Sequence, residues 1–186
     1  MIKRIALLGM LIVAAGVALS QAGKSKLEPG PRFTVKNELL RPEGYREWVF
    51  VGASLGMSYS ENPNKQATFH NVYIHPRAYR EFKQTGRFPE RTILAMEVLA
   101  PGSQSSINRQ GQFEDRFIGV EATVKDSSRF PEGWAYFNFI RSGQDPAPTA
   151  KAFPKEACWN CHHEHGETDN VFTQFYPVLR GRADRR

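Results

Sequence analysis

The chain has 186 residues, which bounds it to one domain with short appendages. Hydrophobic residues are 40% and charged residues 24%, too apolar for a disordered chain, and two cysteines are too few for a disulfide-stapled scaffold. The 15 Gly, 12 Pro and 12% aromatics point to strands and turns rather than a bundle of long helices.

A net charge of +6 invites a nucleic-acid reading, and its distribution removes that reading. Residues 1–22 have the form of a secretory signal. Lys3 and Arg4 are followed by an uncharged apolar run over 5–19, and Ser20-Gln21-Ala22 offers a small-residue cleavage site. The run is shorter than the roughly 20 residues a membrane-spanning helix needs, so no permanent anchor is expected. Loss of Lys3 and Arg4 takes the charge to +4, and residues 180–186, with four Arg and one Asp, hold a further +3. The body is left at +1, with no basic face for nucleic acid. The expected location is the periplasm.

Along the chain, 23–40 reads as an N-terminal arm or linker, 41–180 as the folded domain and 181–186 as a basic tail. A short helix is predicted at 45–48, a buried strand at 49–55, a loop at 59–67 and a strand at 69–74. Pro76 opens a helix that stops at Gly86. A strand follows at 92–99, a flexible loop at 101–112, and two strands at 117–124 and 134–140. A helix begins near 155–157. The class is α+β, a mainly antiparallel sheet of about five strands with a few packed helices, the C-terminal one carrying the motif below.

Cys158-Trp159-Asn160-Cys161-His162 is C-x-x-C-H, the attachment signature of c-type haem, and it uses both cysteines of the chain. One helical turn presents the two thiols to the haem vinyl groups, and His162 falls beneath the iron as proximal ligand. A redox disulfide needs a βαβ context that is absent here, and a zinc site using His163 or His165 would have unusually compressed spacing. The cofactor expected is one haem c, covalent through Cys158 and Cys161. For the sixth iron position Met57 and Met96 sit in apolar strand contexts, and His75 reads as a solvated strand-end residue. No candidate stands out, which favours an open site.

In this order around C-x-x-C-H, the chain resembles the cytochrome P-460 superfamily, which includes the cytochromes c′-beta. The similarity runs from about Tyr45 to Arg180. It rests on Tyr45-Arg46-Glu47-Trp48-Val49-Phe50-Val51-Gly52, Val72-Tyr73-Ile74, Lys83-Gln84-Thr85-Gly86-Arg87-Phe88 and Gly119-Val120-Glu121-Ala122-Thr123-Val124-Lys125-Asp126. It continues in Trp134-Ala135-Tyr136-Phe137 and closes on Asp169-Asn170-Val171-Phe172-Thr173-Gln174-Phe175-Tyr176-Pro177-Val178-Leu179-Arg180.

The resemblance implies a five-coordinate periplasmic haem in a homodimer, with a redox partner, that either oxidises hydroxylamine or binds nitric oxide. The hydroxylamine-oxidising branch bonds a lysine to the haem rim just before a strand glutamate; here Met96 precedes Glu97. Lys83 is the nearest alternative and reads as solvated. In the c′-beta branch apolar side chains cap the distal face, which makes Phe50, Phe69 and Phe82 candidate caps. Glu121 matches a distal carboxylate suited to proton transfer, and His70 is a second candidate for the pocket. The function expected is nitric oxide binding. The alternatives are hydroxylamine oxidation to nitrous or nitric oxide, and electron transfer by a six-coordinate iron.

Overall fold

A computed structural model describes residues 30–57 and 67–180. The signal expected at 1–22 and the tail expected at 181–186 lie outside these residues. Among the described residues no helix is long and apolar enough to cross a membrane.

The chain runs through β1 (Leu39–Leu40), a 3-10 turn (Tyr45–Glu47), β2 (Val49–Leu55), β3 (Phe69–Ile74), α1 (Pro76–Thr85), β4 (Ile93–Gly102), β5 (Phe113–Lys125) and β6 (Trp134–Asn138). It then forms β7 (Thr149–Ala150), a second 3-10 turn (Lys155–Ala157), α2 (Trp159–His165) and a third 3-10 turn (Thr173–Phe175). Strands β2 to β6 pair antiparallel in sequence order as one five-stranded meander. This is the expected α+β arrangement. The loop expected at 101–112 begins later, because Pro101 pairs with Glu114 and Gly102 with Phe113. Bulges between Val98 and Leu99 and between Ala100 and Pro101 let this ladder continue with increased twist.

Strand alternation assigns the two faces of the sheet. On β5, Val120, Ala122 and Val124 point to one face, where Leu39, Ile93, Phe130, Phe137 and Phe139 complete the core. Glu121 and Thr123 point to the other. There Val72, Ile74, Leu94, Trp134 and Tyr136 meet α1 and the C-terminal segment. The arm is laid on the first face from residue 30 onward: Leu39 is fully buried and pairs with Ala150, and the Phe33 ring lies 5.9 Å from Phe130.

Helix α1 has the predicted start and stop. Pro76 occupies the first turn, and Gly86, at φ 72°, closes the end with its N–H on the Phe82 carbonyl. His75 is not solvated: it is buried, its Nδ1 accepts the Arg77 N–H at 3.3 Å, and Trp48 packs edge-on against its ring. A helix start leaves orphan N–H groups, and a side-chain acceptor in the capping position is drawn in to satisfy one.

Phe82 stacks on Phe88 at 4.2 Å, and Phe88 meets Trp134 edge-on. Phe82→Ala should therefore cost about 3–5 kcal/mol of stability, read by urea unfolding; a loss below about 1 kcal/mol would contradict this packing.

Candidate haem-binding site

Helix α2 starts directly after Cys158 and carries Cys161 and His162 three and four positions on. That spacing puts the three side chains on one helical face. The His162 N–H bonds the Cys158 carbonyl at 3.1 Å, so the motif is wound as one turn. Both cysteines are free, half-buried thiols.

His162 is fixed by three neighbours. Its Nδ1 lies 3.0 Å from the Asn170 carbonyl, and its ring sits 4.2 Å from Tyr136 and 4.4 Å from Phe172. A carbonyl only accepts, so Nδ1 carries the proton and Nε2 keeps the lone pair that a metal takes. Burial lowers the His162 pKa, an effect the Asn170 bond partly opposes, so the imidazole is held in its neutral, ligating form.

Asn170 is presented by a two-residue turn. Thr168 and Val171 pair on either side of Asp169 and Asn170, whose φ values are 50° and 61°. Positive φ at both central residues is what a tight hairpin turn needs, and Asp and Asn are the non-glycine residues that tolerate it best. The turn also packs closely on α2. A Cβ on Gly166 would stand 2.6 Å from the His162 carbonyl oxygen and 2.8 Å from the Asn170 carbonyl carbon, so only glycine fits there.

Cys158, His162, Asn170 and Phe172 border a cavity of about 480 Å³, within the size range of cofactor pockets. Its floor is the sheet face carrying Val72, Leu94, Met96, Glu121, Thr123 and Tyr136. Met96 lies between Val72 and Glu121 in register, and Glu121 pairs with Asn138 on β6. The Asn138 Nδ2 donates to Glu121 Oε1 at 2.9 Å, and Asn138 Oδ1 accepts the Ile140 N–H at 2.6 Å. Burial raises the Glu121 pKa and lowers that of His70, whose Nε2 is 3.0 Å from Thr68 Oγ1. Both shifts favour the uncharged form.

The cavity lining thus brings together Cys158 and His162 with His70, Met96, Glu121 and Met57. The three candidate phenylalanine caps lie elsewhere. Phe50 pairs with Tyr73, and Phe69 alternates with His70, so both are on the opposite face of the sheet. Phe82 is turned into the core by helical periodicity. Lys83 is exposed on α1. His163 is stacked on Trp159 at 4.3 Å, and His165 faces Glu164. Glu97 is also on the far face, buried, accepting from Tyr45 at 2.9 Å and paired with Arg46.

Tyr136, Asn138, Asn170 and Phe172 were not legible as site residues. The Asp169-Asn170 dipeptide was the available signal, since adjacent Asp and Asn mark a positive-φ turn.

The residues fit haem c. Two free thiols and a neutral imidazole share one helical turn, of which Cys158 and His162 border the largely apolar cavity. Asn170 Nδ2, buried with no hydrogen-bond partner among the described residues, is left to donate to a bound group. Cys158 and Cys161 would hold the haem covalently and His162 would ligate its iron.

The raised Glu121 pKa has a consequence for stability. In acid both folded and unfolded states are protonated and there is no penalty. As pH rises past the ordinary carboxylate value of about 4.3, the unfolded chain releases its proton while the folded chain retains it, and stability falls until the folded pKa is passed. Glu121→Gln keeps an oxygen for Asn138 and removes the titration. The variant should therefore melt above wild type at pH 7, with the gap closing toward pH 4; an equal gap at both values would contradict the buried placement.

The sequence matches the family Cytochrome P460 over residues 42–173. It matches no curated protein. The match spans most of the chain, from just before β2 through the C-x-x-C-H turn to the Asp169-Asn170 turn that faces His162, and the chain belongs to the cytochrome P460 family of c-type haem proteins.

Proposed function

We propose that the protein is an exported, periplasmic monohaem cytochrome whose iron keeps one axial face open and binds nitric oxide there. The observation that carries this reading is the sparse charge of the cavity lining, in which Glu121 is the only carboxyl group among the described residues and no Lys or Arg takes part. Among the described residues that border the cavity, His70, Glu121, Cys158, Tyr136 and His162 are each shifted toward the uncharged form, and Val72, Leu94 and Met96 supply apolar wall. An anion entering such a site would lose its hydration without a countercharge, whereas a neutral diatomic pays little for desolvation. The bound haem supplies the iron that takes the ligand; the chain supplies orientation through His162 and exclusion through the sheet face.

Hydroxylamine oxidation is the second reading, favoured by Glu121. Asn138, itself held by the Ile140 N–H, fixes one carboxyl oxygen and leaves the other to give or take a proton beside a bound nitrogen ligand. Position 96 argues against it. Its side chain borders the cavity, but it is methionine, with no amine to bond to the haem rim.

The ferrous holoprotein should give a broad high-spin visible spectrum that converts on addition of nitric oxide. Sharp, split low-spin bands before any ligand is added would contradict the open site and point to Met57 or Met96 as sixth ligand. Turnover of hydroxylamine that falls about 100- to 10,000-fold in Glu121→Gln would move the conclusion to the second reading.

The chain is also proposed to form a homodimer through the sheet face away from the haem. Phe50 and Leu55 on β2 and Phe117 on β5 are exposed on that face, with Phe69 and Leu99 lying between Leu55 and Phe117 along the strand pairing. Phe50→Glu should convert a dimer to a monomer in sedimentation; wild-type protein sedimenting as a monomer would contradict this.

A further inference from the structure

We propose that Asp169 is a positioning residue for the iron ligand, tying the turn that carries Asn170 to the sheet and thereby fixing the strength of the His162 Nδ1–H bond. The inference rests on the reading of His162 as the proximal ligand.

The turn itself is unfavourable. Asp169 and Asn170 are consecutive non-glycine residues with positive φ, a conformation that L residues resist. Such strain persists where the surroundings over-determine it. Here the surroundings are two side chains from adjacent strands. Trp134 Nε1 on β6 donates to Asp169 Oδ1 at 3.1 Å, and Lys125 Nζ on β5 donates to Asp169 Oδ2 at 2.6 Å. Lys125 is itself held, because Nζ also donates to the Phe88 carbonyl at 2.9 Å.

One carboxylate therefore anchors the turn to the two strands that support the proximal side. Tyr136, two residues beyond Trp134 on the same face of β6, packs on the His162 ring, and its hydroxyl lies 3.4 Å from the Asn170 carbonyl oxygen. Asp169 and the carbonyl it positions are neighbours in sequence, so a shift of the carboxylate moves the carbonyl directly. A hydrogen bond from Nδ1 raises the basicity of the ligating nitrogen, and a more basic ligand stabilises the oxidised iron. Asp169 touches neither the ligand nor the iron position and acts through Asn170.

The test uses the reduced holoprotein and reads the iron–histidine stretching frequency and the midpoint potential. Asp169→Gly accepts the positive φ without strain but loses both anchors. It should lower the stretching frequency and raise the potential. Asp169→Asn keeps an acceptor for Trp134 and tolerates the same φ, and should restore most of both values. Should Asp169→Gly not accumulate, Lys125→Met leaves the turn sequence intact and should give a smaller shift in the same direction. A melting temperature that falls while frequency and potential stay at wild-type values would overturn the proposal. Absence of any iron–histidine band in the wild type would instead overturn the ligand assignment on which it rests.

Discussion

The hydrogen bond from His162 Nδ1 to the Asn170 carbonyl is the constraint on which the site depends. It selects the tautomer, leaves the Nε2 lone pair on a ring that borders the cavity and joins α2 to the C-terminal segment in one contact. The packing around it leaves little freedom. Tyr136 and Phe172 bracket the ring, and the space between the helix end and the turn admits only the hydrogen of Gly166. A ligand prepared in this way loses little entropy when it binds metal, because its orientation is already set by folding.

The second constraint is the period of the β-strand. A single strand, β5, supplies Val120, Ala122 and Val124 to one core and Glu121 and Thr123 to the cavity side. Adjacent Met96 and Glu97 are divided in the same way, one bordering the cavity and the other buried with Tyr45 and Arg46 on the far face. The sheet is thus both scaffold and wall. A carboxyl set into that wall with one amide for a partner has its acidity weakened by desolvation, a cost to stability that suits a group handling protons.

Much of this was readable from the residues. C-x-x-C-H names its own chemistry, because two thiols and an imidazole at that spacing fall on one turn. Pro76 and Gly86 bracket α1 through backbone rules that need no tertiary information. The phenylalanine caps were beyond such reasoning. Phe69 and His70 are equally plausible pocket residues until the register fixes which face each takes, and one position decides it. His75 reads as solvated from its polarity and its place before Pro76, and the backbone N–H of Arg77 draws it in as a cap. Asn138 acts on Glu121 across a strand pair, and Asn170 acts through its backbone carbonyl, a group that every residue carries and no sequence pattern distinguishes.

One haem, held covalently through Cys158 and Cys161 and ligated by His162, is what the site geometry requires of this chain. The most direct measurement is the mass of the intact protein under denaturing conditions, with the absorbance of the same sample. The account predicts a single species at the mass of the processed chain from residue 23 plus one haem, which loses the haem when both cysteines are replaced by alanine. A species at the mass of the chain alone with two titratable thiols would contradict it.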